Sequence, residues 1–368
     1  MTNLFDYIQW RGDLAFSQAP LSAVDLLIFS EIVHSPLEML IKDGNESYRG
    51  QTLLELMPEI YPTEVKQAKG LNLPAQRYSI FELMKTHRRF AEVRLMKFSS
   101  HFEPENTKQF AAAEFAIGRT AVVAYRGTDA TVTGWKEDFL MGFESTIPAQ
   151  MDALSFLDNL PSSYEEVYTC GHSKGGNLAM FAAAFTKNQS RIKAVYSFDG
   201  PGFDQSVLET QGWKNILDRT NLIVPESSIV GLLMGYIENH RTIQSDKMSI
   251  MQHSPFYWHV LGNDFIDAES STFSSRVTDN AIHTFLESCT REQRKTIVEA
   301  AFDMIEATGA VKTAEIVKCA AKHPAEIKAV YNRLSPEDKE AIKELGKILF
   351  KSYGISIRKI IGSSHQDS

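Results

Sequence analysis

The alternation of hydrophobic and polar positions changes twice along the chain. Up to about residue 90 it is typical of helices joined by loops. A hydrophobic run extends from Leu21 to about Val33, where Ser22 can cap a helix and Asp25 suits its first turn. Prolines and glycines then break this stretch into short pieces, at Pro36, Gly44, Gly50, Pro58, Pro62 and Pro74.

From about residue 91 the pattern is one of short β-rich runs. We expect strands at Glu92–Phe98, Ala111–Ile117, Thr120–Tyr125, Glu166–Cys170, Ala194–Phe198 and Asn221–Val224. Several runs are hydrophobic with little alternation, as expected of strands buried on both faces. Helical patterns separate the later runs, at Met151–Asn159 and Gly176–Phe185. Alternating strands and helices predict an α/β fold with a mostly parallel sheet that helices cover on both faces.

From about Asp279 the pattern is helical again. Amphipathic helices are expected at Thr290–Thr308, Lys312–Lys322 and Pro336–Phe350. The chain is therefore expected to have three parts. Residues 1–90 form a helical region that packs on the core, residues 91–278 form the α/β core with the functional site, and residues 279–368 form a helical appendage.

The last part of the appendage, Leu349–Ile361, places Lys351, Arg358 and Lys359 among hydrophobic residues. A basic amphipathic tail can contact an anionic membrane surface, which makes a peripheral membrane contact one interpretation. The pattern favours the other interpretation, an ordinary terminal helix packed on the body.

Composition and charge narrow the class of protein. The 368 residues are 43% hydrophobic and 23% charged, which is ordinary for a globular protein and too hydrophobic for a disordered chain. The net charge of −8 argues against nucleic acid as a partner. The oligomeric state is left open.

Compartment and cofactors follow from what the sequence lacks. No hydrophobic run approaches the roughly 18 residues of a membrane span, and the first residues do not resemble a signal peptide. Three cysteines, Cys170, Cys289 and Cys319, form neither a disulfide framework nor a metal-binding pair. We therefore expect a cytoplasmic protein. Without ligand-spaced clusters or a P-loop, we expect no metal and no cofactor.

The strongest chemical signal is Gly-His-Ser-Lys-Gly at residues 171–175, between a β-rich run and a helical pattern. A Gly-x-Ser-x-Gly sequence in this setting is typical of a nucleophilic serine on a sharp strand-to-helix turn. Bulky side chains two residues either side of Ser173 would clash, and the helix behind it points amides at the reacting oxygen. The amide of Lys174 would be one such donor. The alternative is a glycine-rich turn with a capping serine.

The neighbours of Ser173 have simpler interpretations. His172 and Lys174 flank the serine, and side chains at these positions normally point away from the reacting face. We interpret both as packing or surface residues rather than acid–base groups. Cys170 is expected to be a buried structural cysteine within the preceding strand.

A second segment, Tyr125–Thr128, ends a β-rich run with Tyr-Arg-Gly-Thr and is followed by Trp135 and Asp138. Gly127 allows a close backbone approach, and Thr128 could offer its amide and hydroxyl to a developing oxyanion. The alternative is a plain β-turn in which Arg126 forms a salt bridge with Asp138. The local pattern does not decide between the two.

Together the two segments resemble the class 3 lipases of the α/β-hydrolase superfamily. Those enzymes carry aromatic-Arg-Gly-Ser/Thr, then Trp-x-x-Asp, then Gly-His-Ser-Leu-Gly-Gly. More narrowly, residues 171–179 with Phe198–Phe203 resemble the Mbeg1-like bacterial family, a domain of unknown function. This resemblance runs from the N-terminal helix to about residue 265, and Lys174 in place of the lipases' leucine is a trait of that family. It implies an α/β-hydrolase fold with helical additions at both ends.

A serine nucleophile needs a base, and in α/β-hydrolases the chain order is serine, acid, histidine. His240, His253, His259 and His283 follow Ser173. We favour His253, which lies in a loop-like segment that resembles the Gln-His-Asp/Ser-Pro stretch of the Mbeg1-like family. His259 falls in an aromatic run typical of a buried strand, His240 on an expected surface loop, and His283 at the start of the appendage.

The triad acid is less obvious. Class 3 lipases place an aspartate after the next strand, but this chain has Ser227 or Ser228 there. Asp199, one strand earlier, resembles the placement in pancreatic-type lipases, and we favour it over Glu226, which lies nearer the class 3 position. The alternative role for Asp199 is a turn former, since Asp-Gly is a common turn dipeptide.

The resemblance implies a serine hydrolase that cleaves a small acyl ester or a lipid through an acyl-enzyme. Ser173 would attack, His253 would accept its proton, Asp199 would orient His253, and the amides of Lys174 and Thr128 would stabilise the oxyanion. The hydrophobic stretch Ser228–Ile237 is either a lid or buried core. The alternatives are an inactive hydrolase-fold binding or scaffold protein, and a thioesterase or peptidase using the same triad.

Overall fold

The computed structural model describes residues 2–41, 47–61, 73–129, 131–141, 144, 146–226, 228, 240–247, 249–268, 291–312, 315–340 and 342–343. The chain divides into two compact units, Met1–Ser271 and Thr272–Ser368. The expected helical N-terminal region therefore lies in the same unit as the sheet.

The first unit contains nine described α-helices and ten described strands. The helices are α1 (Leu4–Arg11), α2 (Ala23–Ile32), α3 (Leu53–Ile60), α4 (Leu73–Met84), α5 (Val132–Leu140), α6 (Pro148–Asp158), α7 (Lys174–Phe185), α8 (Gln205–Leu208) and α9 (Gln211–Lys214). The strands are β1 (Ser47–Thr52), β2 (Arg94–Glu103), β3 (Lys108–Ile117), β4 (Thr120–Tyr125), β5 (Glu166–His172), β6 (Ile192–Phe198), β7 (Thr220–Pro225), β8 (His240–Ile243), β9 (Val260–Leu261) and β10 (Asp264–Phe265).

Strands β1 to β8 form one sheet in chain order. The pairs from β1 to β4 are antiparallel, and the pairs from β4 to β8 are parallel. A tight turn joins β3 to β4, and Gly118 there adopts φ 58°, a conformation that glycine reaches without strain. The parallel half continues through crossover connections that include α6 and α7, as the alternating pattern predicts.

Hydrophobic side chains project from both faces of the sheet. In β4, Val122 and Ala124 join one buried cluster, and Val123 and Tyr125 join the other. The first cluster includes side chains of α1 to α4, and the second includes side chains of α6 and α7. The sheet is therefore covered by helices on both faces, which gives the mostly hydrophobic strands their burial. This is the architecture of an α/β-hydrolase fold.

Helix α2 begins where the sequence predicts. The Ser22 side chain accepts from the amide of Asp25, and the Asp25 side chain accepts from the amide of Ser22, which forms a capping box. Every residue from Val24 to Ile32 is buried. A helix that is hydrophobic on all sides must lie between other elements, and α2 packs against α4 and the central strands β4 and β5.

Two strands of the eight-stranded sheet are absent from the sequence predictions. Strand β1 is not predicted because Ser47–Thr52 lacks a hydrophobic run. Its extended conformation is stabilised by antiparallel pairing with β2 rather than by its own composition. The prediction of a surface loop at His240 is wrong, since His240 begins β8 and pairs beside Leu222.

The second unit contains the helices α10 (Arg291–Glu306), α11 (Ile316–Lys322) and α12 (Pro324–Arg333). The first two agree with the helices predicted at Thr290–Thr308 and Lys312–Lys322, whereas α12 is absent from the sequence predictions. Residues 336–340 and 342–343 are also helical. Within the described part of the chain, no helix combines the length and hydrophobicity that crossing a membrane requires. His283, the tail Leu349–Ile361 and residues 229–237 of the stretch expected as a lid or buried core lie outside the described residues.

Candidate active site

Ser173 occupies a sharp turn between β5 and α7. Its backbone has φ 59° and ψ −132°, a region that residues with a side chain rarely adopt. Such a conformation costs on the order of 1–3 kcal/mol and persists only where the surroundings impose it. Here the Ser173 amide donates to Phe198 O (2.9 Å), and its carbonyl accepts from the Gly176 amide (2.8 Å). The serine is partly exposed at the N-terminus of α7, where helix amides favour negative charge.

The two glycines of the motif are required by close backbone packing. A Cβ on Gly171 would lie 2.2 Å from the backbone of Gly175. A Cβ on Gly175 would lie 2.1 Å from the carbonyl oxygen of Tyr125, at the end of β4. Neither neighbour is a flexible side chain that could move aside. The turn therefore brings the start of α7 directly against the end of β4.

The segment after β4 runs beside Ser173. A Cβ on Gly127 would lie 2.5 Å from His172 O and 3.3 Å from Ser173 Cβ. The Thr128 hydroxyl donates to Asp138 on α5, which ties this segment down. Among the described residues no acceptor binds the Thr128 amide or the Lys174 amide. Both amides are available to a ligand oxygen, the property that an oxyanion hole needs.

Burial favours the protonated form of the Asp138 carboxyl group. Its Oδ1 is buried without a hydrogen-bond partner. Burial raises the pKa of this carboxyl to about 6, against the opposing effects of the Lys174 ammonium and the Thr128 hydroxyl. The alternative in which Arg126 forms a salt bridge with Asp138 is wrong. Arg126 pairs instead with Glu38, and its Nε donates to Val33 O at 2.7 Å.

The structure brings His253 to Asp199. Nδ1 of His253 lies 2.6 Å from Oδ2 of Asp199. His253 ends a short 3₁₀ helix, Ser249–His253, and its side chain is 25% exposed, whereas the Asp199 side chain is fully buried. A partly exposed imidazole held by a buried carboxylate is the arrangement of a base and its orienting acid.

The loop after β6 holds Asp199 from several sides. Its backbone is left-handed, with φ 51°, and its amide donates to Ile223 O at 2.8 Å. The Asn177 side chain on α7 donates to the carbonyls of Pro201 and Gly202 (3.1 and 2.9 Å). The Ser228 hydroxyl donates to Oδ1 of Asp199, the oxygen that His253 does not use. Asp199 therefore accepts at both oxygens.

The two residues that flank Ser173 are buried. Nζ of Lys174 donates to Gln109 O, Gln109 Oε1 and Glu137 Oε2 at 2.8, 2.8 and 2.7 Å, so each of its three protons has an acceptor. His172 Nε2 lies 2.7 Å from His253 O. The sequence left packing and surface positions open for both residues, and their burial agrees with packing. The hydrogen bonds of His172 and Lys174 are not part of that interpretation.

The other candidates lie elsewhere. His259 is buried, with Nε2 2.7 Å from Asp246 Oδ1, in agreement with a core role, although it lies just before β9 rather than in a strand. Cys170 is a free, buried cysteine within β5, and burial raises the pKa of its thiol to about 12. The Glu226 amide donates to Ile243 O, and the acceptor at His253 Nδ1 is Asp199 rather than Glu226.

Among the residues that the structure describes, one group has metal-ligand chemistry. Single ligand atoms of Glu31, His34 and His172 all lie within 4.8 Å of one another. The Glu31 carboxylate already accepts from Arg77 Nε at 2.9 Å, and His34 Nε2 accepts from the Gly127 amide at 3.2 Å. The guanidinium and the engaged imidazole make this a poor place for a cation.

The chain is similar to two solved lipase structures at low identity. M37 lipase matches at 14% identity with a TM-score of 0.35, covering 58% of this chain and 69% of that one. The triacylglyceride lipase of Rhizomucor miehei matches at 13% identity with a TM-score of 0.36, covering 66% and 94%. No curated protein matches the sequence significantly. The Mbeg1-like family model matches residues 84–303, more than half of the chain. The chain therefore belongs to the Mbeg1-like family.

Proposed function

We propose that this protein is a serine hydrolase, similar to carboxylesterases and lipases, that cleaves an acyl ester. Ser173 is the nucleophile, His253 the general base and Asp199 the orienting acid. The observation that carries the proposal is the 2.6 Å contact between His253 and Asp199 beside the strained turn of Ser173. Neither a partly exposed histidine on a buried aspartate nor a serine at positive φ is needed for folding alone.

The reaction follows from this arrangement. Ser173 Oγ attacks the acyl carbonyl while its proton passes to His253 Nε2, and the amides of Lys174 and Thr128 bind the resulting oxyanion. His253 then gives the proton to the leaving alcohol, and a water repeats the sequence to release the acid. Asp199 keeps the proton of neutral His253 on Nδ1 and stabilises the imidazolium. Removing one oxyanion donor typically slows such a reaction by about 10²–10³-fold.

A second serine, Ser99, provides a matched control. Ser99 Oγ lies 3.3 Å from His101 Nε2, and His101 Nδ1 lies 2.8 Å from Asp152 Oδ2. Ser99 is only 3% exposed, it lies within β2 rather than at a helix N-terminus, and Lys108 also binds Asp152. These contacts resemble a triad but lack an accessible nucleophile.

The test is labelling by a fluorophosphonate probe together with turnover of p-nitrophenyl esters of increasing chain length. We expect the wild type and Ser99→Ala to label and turn over, and Ser173→Ala to do neither. The chain-length profile then separates an esterase from a lipase. A correctly folded wild type that does not label contradicts the proposal and supports an inactive binding protein. Labelling that persists in Ser173→Ala contradicts the assignment of the nucleophile.

A further inference from the structure

His172, the residue before the proposed nucleophile, holds the backbone of the proposed base. Its Nε2 lies 2.7 Å from the carbonyl oxygen of His253, and the two rings lie 4.5 Å apart between centroids. A carbonyl oxygen only accepts, so Nε2 of His172 must carry a proton. The backbone of Gln252, the residue before His253, is also held, because Trp258 Nε1 donates to Gln252 O at 2.7 Å.

The other nitrogen of His172 faces a carboxyl group from the N-terminal helices. Nδ1 lies 3.5 Å from Oε1 of Glu31 on α2, and the Glu31 side chain is fully buried. Oε2 of Glu31 accepts from Arg77 on α4, while Oε1 is buried without a hydrogen bond. Without a proton between them, Oε1 and Nδ1 would be two acceptors facing each other out of water, which is costly.

One proton between the two atoms removes this conflict. With the proton on Glu31, a neutral acid faces a neutral imidazole. With the proton on His172, a carboxylate faces an imidazolium, and the total charge is the same. Burial raises the pKa of Glu31 and lowers the pKa of His172 well below its usual value, and the charge of His253 adds to the second effect. Both directions favour the neutral pair.

A metal ion is the competing way to satisfy these acceptors, with His34 as the third ligand. The Arg77 guanidinium lies on the same carboxylate, and the charges of Arg77, Arg126 and Lys174 act with burial to lower the pKa of His34 well below its usual value. A region that disfavours a proton on His34 also disfavours a divalent cation. A proton is therefore the better occupant.

We propose that Glu31 and His172 form a positioning pair that shares one proton and holds the carbonyl of His253. This inference rests on the proposed function, because it assigns the pair a role in keeping the base on Asp199 during acyl transfer. A neutral His172 also avoids opposing the imidazolium that His253 becomes, at a ring separation of only 4.5 Å. Helices α2 and α4 thereby become part of the apparatus that positions the base.

The first test needs no activity. Long-range ¹H–¹⁵N spectra of protein labelled at histidine report the tautomer of each imidazole, and His172→Gln assigns the signals. We expect His172 to be neutral with its proton on Nε2 from pH 5 to 8. The opposite tautomer, or a shift of these signals when Zn²⁺ is added, overturns the shared proton.

The second test compares two substitutions at Glu31. In Glu31→Gln the carbonyl can stay on Arg77 while the amide donates to Nδ1, whereas Glu31→Leu keeps the volume and removes the donor. We expect Glu31→Leu to lower kcat for a p-nitrophenyl ester about 10- to 100-fold with little change in KM, and Glu31→Gln to restore most of it. If Glu31→Leu fails to fold, His172→Gln, with an amide donor for His253 O, and His172→Leu, without one, make the same comparison.

The outcomes separate the two proposals. Equal kcat values for the Leu and Gln variants, in an active protein labelled at Ser173, overturn the positioning role and leave the hydrolase intact. A wild type that never labels overturns the hydrolase and the positioning role, while the spectra still decide where the proton lies.

Discussion

Asp199 and His253 lie 54 residues apart in the chain, and a 2.6 Å contact joins their side chains. Asp199 follows β6, one strand before the position where class 3 lipases carry their acid. Ser228, one of the two serines expected at the lipase position, donates its hydroxyl to Asp199. The chain thus has a polar side chain at both places, and the serine hydroxyl donates to the carboxylate of the aspartate.

The assignment of the acid predicts a large loss of activity in Asp199→Asn. An amide at this position can hold the imidazole in the wrong tautomer and cannot stabilise the imidazolium, which costs a serine hydrolase on the order of 10⁴-fold in kcat. Glu226→Gln is the matched control and should stay within about twofold of the wild type. Ester turnover by the three proteins checks this. A large loss in Glu226→Gln with little in Asp199→Asn would reverse the assignment.

The sequence predicts the inner strands of the sheet, β2 to β7, and misses the two edge strands, β1 and β8. The bounds of β4 are confirmed, because its hydrophobic run ends sharply at Arg126. Strand β1 could not be predicted, because its polar residues form a strand only through pairing with β2. Local patterns report burial, whereas pairing depends on residues far away in the chain.

The same limit applies to the site. The roles of Ser173, His253 and Asp199 remain predictions, although the structure brings the last two together. The donor at Ser228 and the contact of His172 with the His253 carbonyl were not predicted. They join residues 29 and 81 positions apart, and no local pattern marks such contacts.

The hydroxyl of Ser228 should matter for activity. Ser228→Ala leaves the buried carboxylate of Asp199 with one donor fewer, and a hydrogen bond to a charged group contributes about 1.5–3 kcal/mol. We expect kcat/KM to fall about tenfold, and Ser228→Thr, which keeps the hydroxyl, to retain most of the activity. Ester hydrolysis measures both. Equal activity of the Ala and Thr variants would show that the hydroxyl does not support the acid.

The ion pair of Lys174 and Glu137 predicts a loss of stability. Both side chains are fully buried, and Lys174→Met leaves the Glu137 carboxylate without its counter-charge. Removing one partner of such a pair typically costs about 3–5 kcal/mol. We expect that loss in the free energy of urea unfolding, and the double variant Lys174→Met/Glu137→Gln to recover a large part of it.

An exposed pair is the control for that experiment. Lys193 pairs with Glu166 at 3.0 Å, with the two side chains 55% and 44% exposed, and Lys193→Met should change the unfolding free energy by less than about 0.5 kcal/mol. Equal effects of Lys174→Met and Lys193→Met would mean that the buried pair contributes no more than a surface pair.

Asp138 predicts a specific dependence of stability on pH. Its pKa is about 6 in the folded protein, against 3.8 for an ordinary aspartate, so the folded state binds the proton more tightly. The contribution of Asp138 to the stability of the wild type then falls as pH rises from about 4 to 6, because the unfolded state releases this proton first. The Asp138→Asn side chain does not titrate, so the variant lacks this pH dependence. The variant's unfolding free energy should therefore rise relative to the wild type by about 2–3 kcal/mol between pH 4 and pH 7.

Urea unfolding at pH 4, 5, 6 and 7 measures the difference, with the exposed Asp218→Asn as a control that should show no such rise. A constant difference between Asp138→Asn and the wild type would mean that the Asp138 carboxyl titrates as an ordinary exposed aspartate, and that the loop presenting Thr128 does not hold a buried acid.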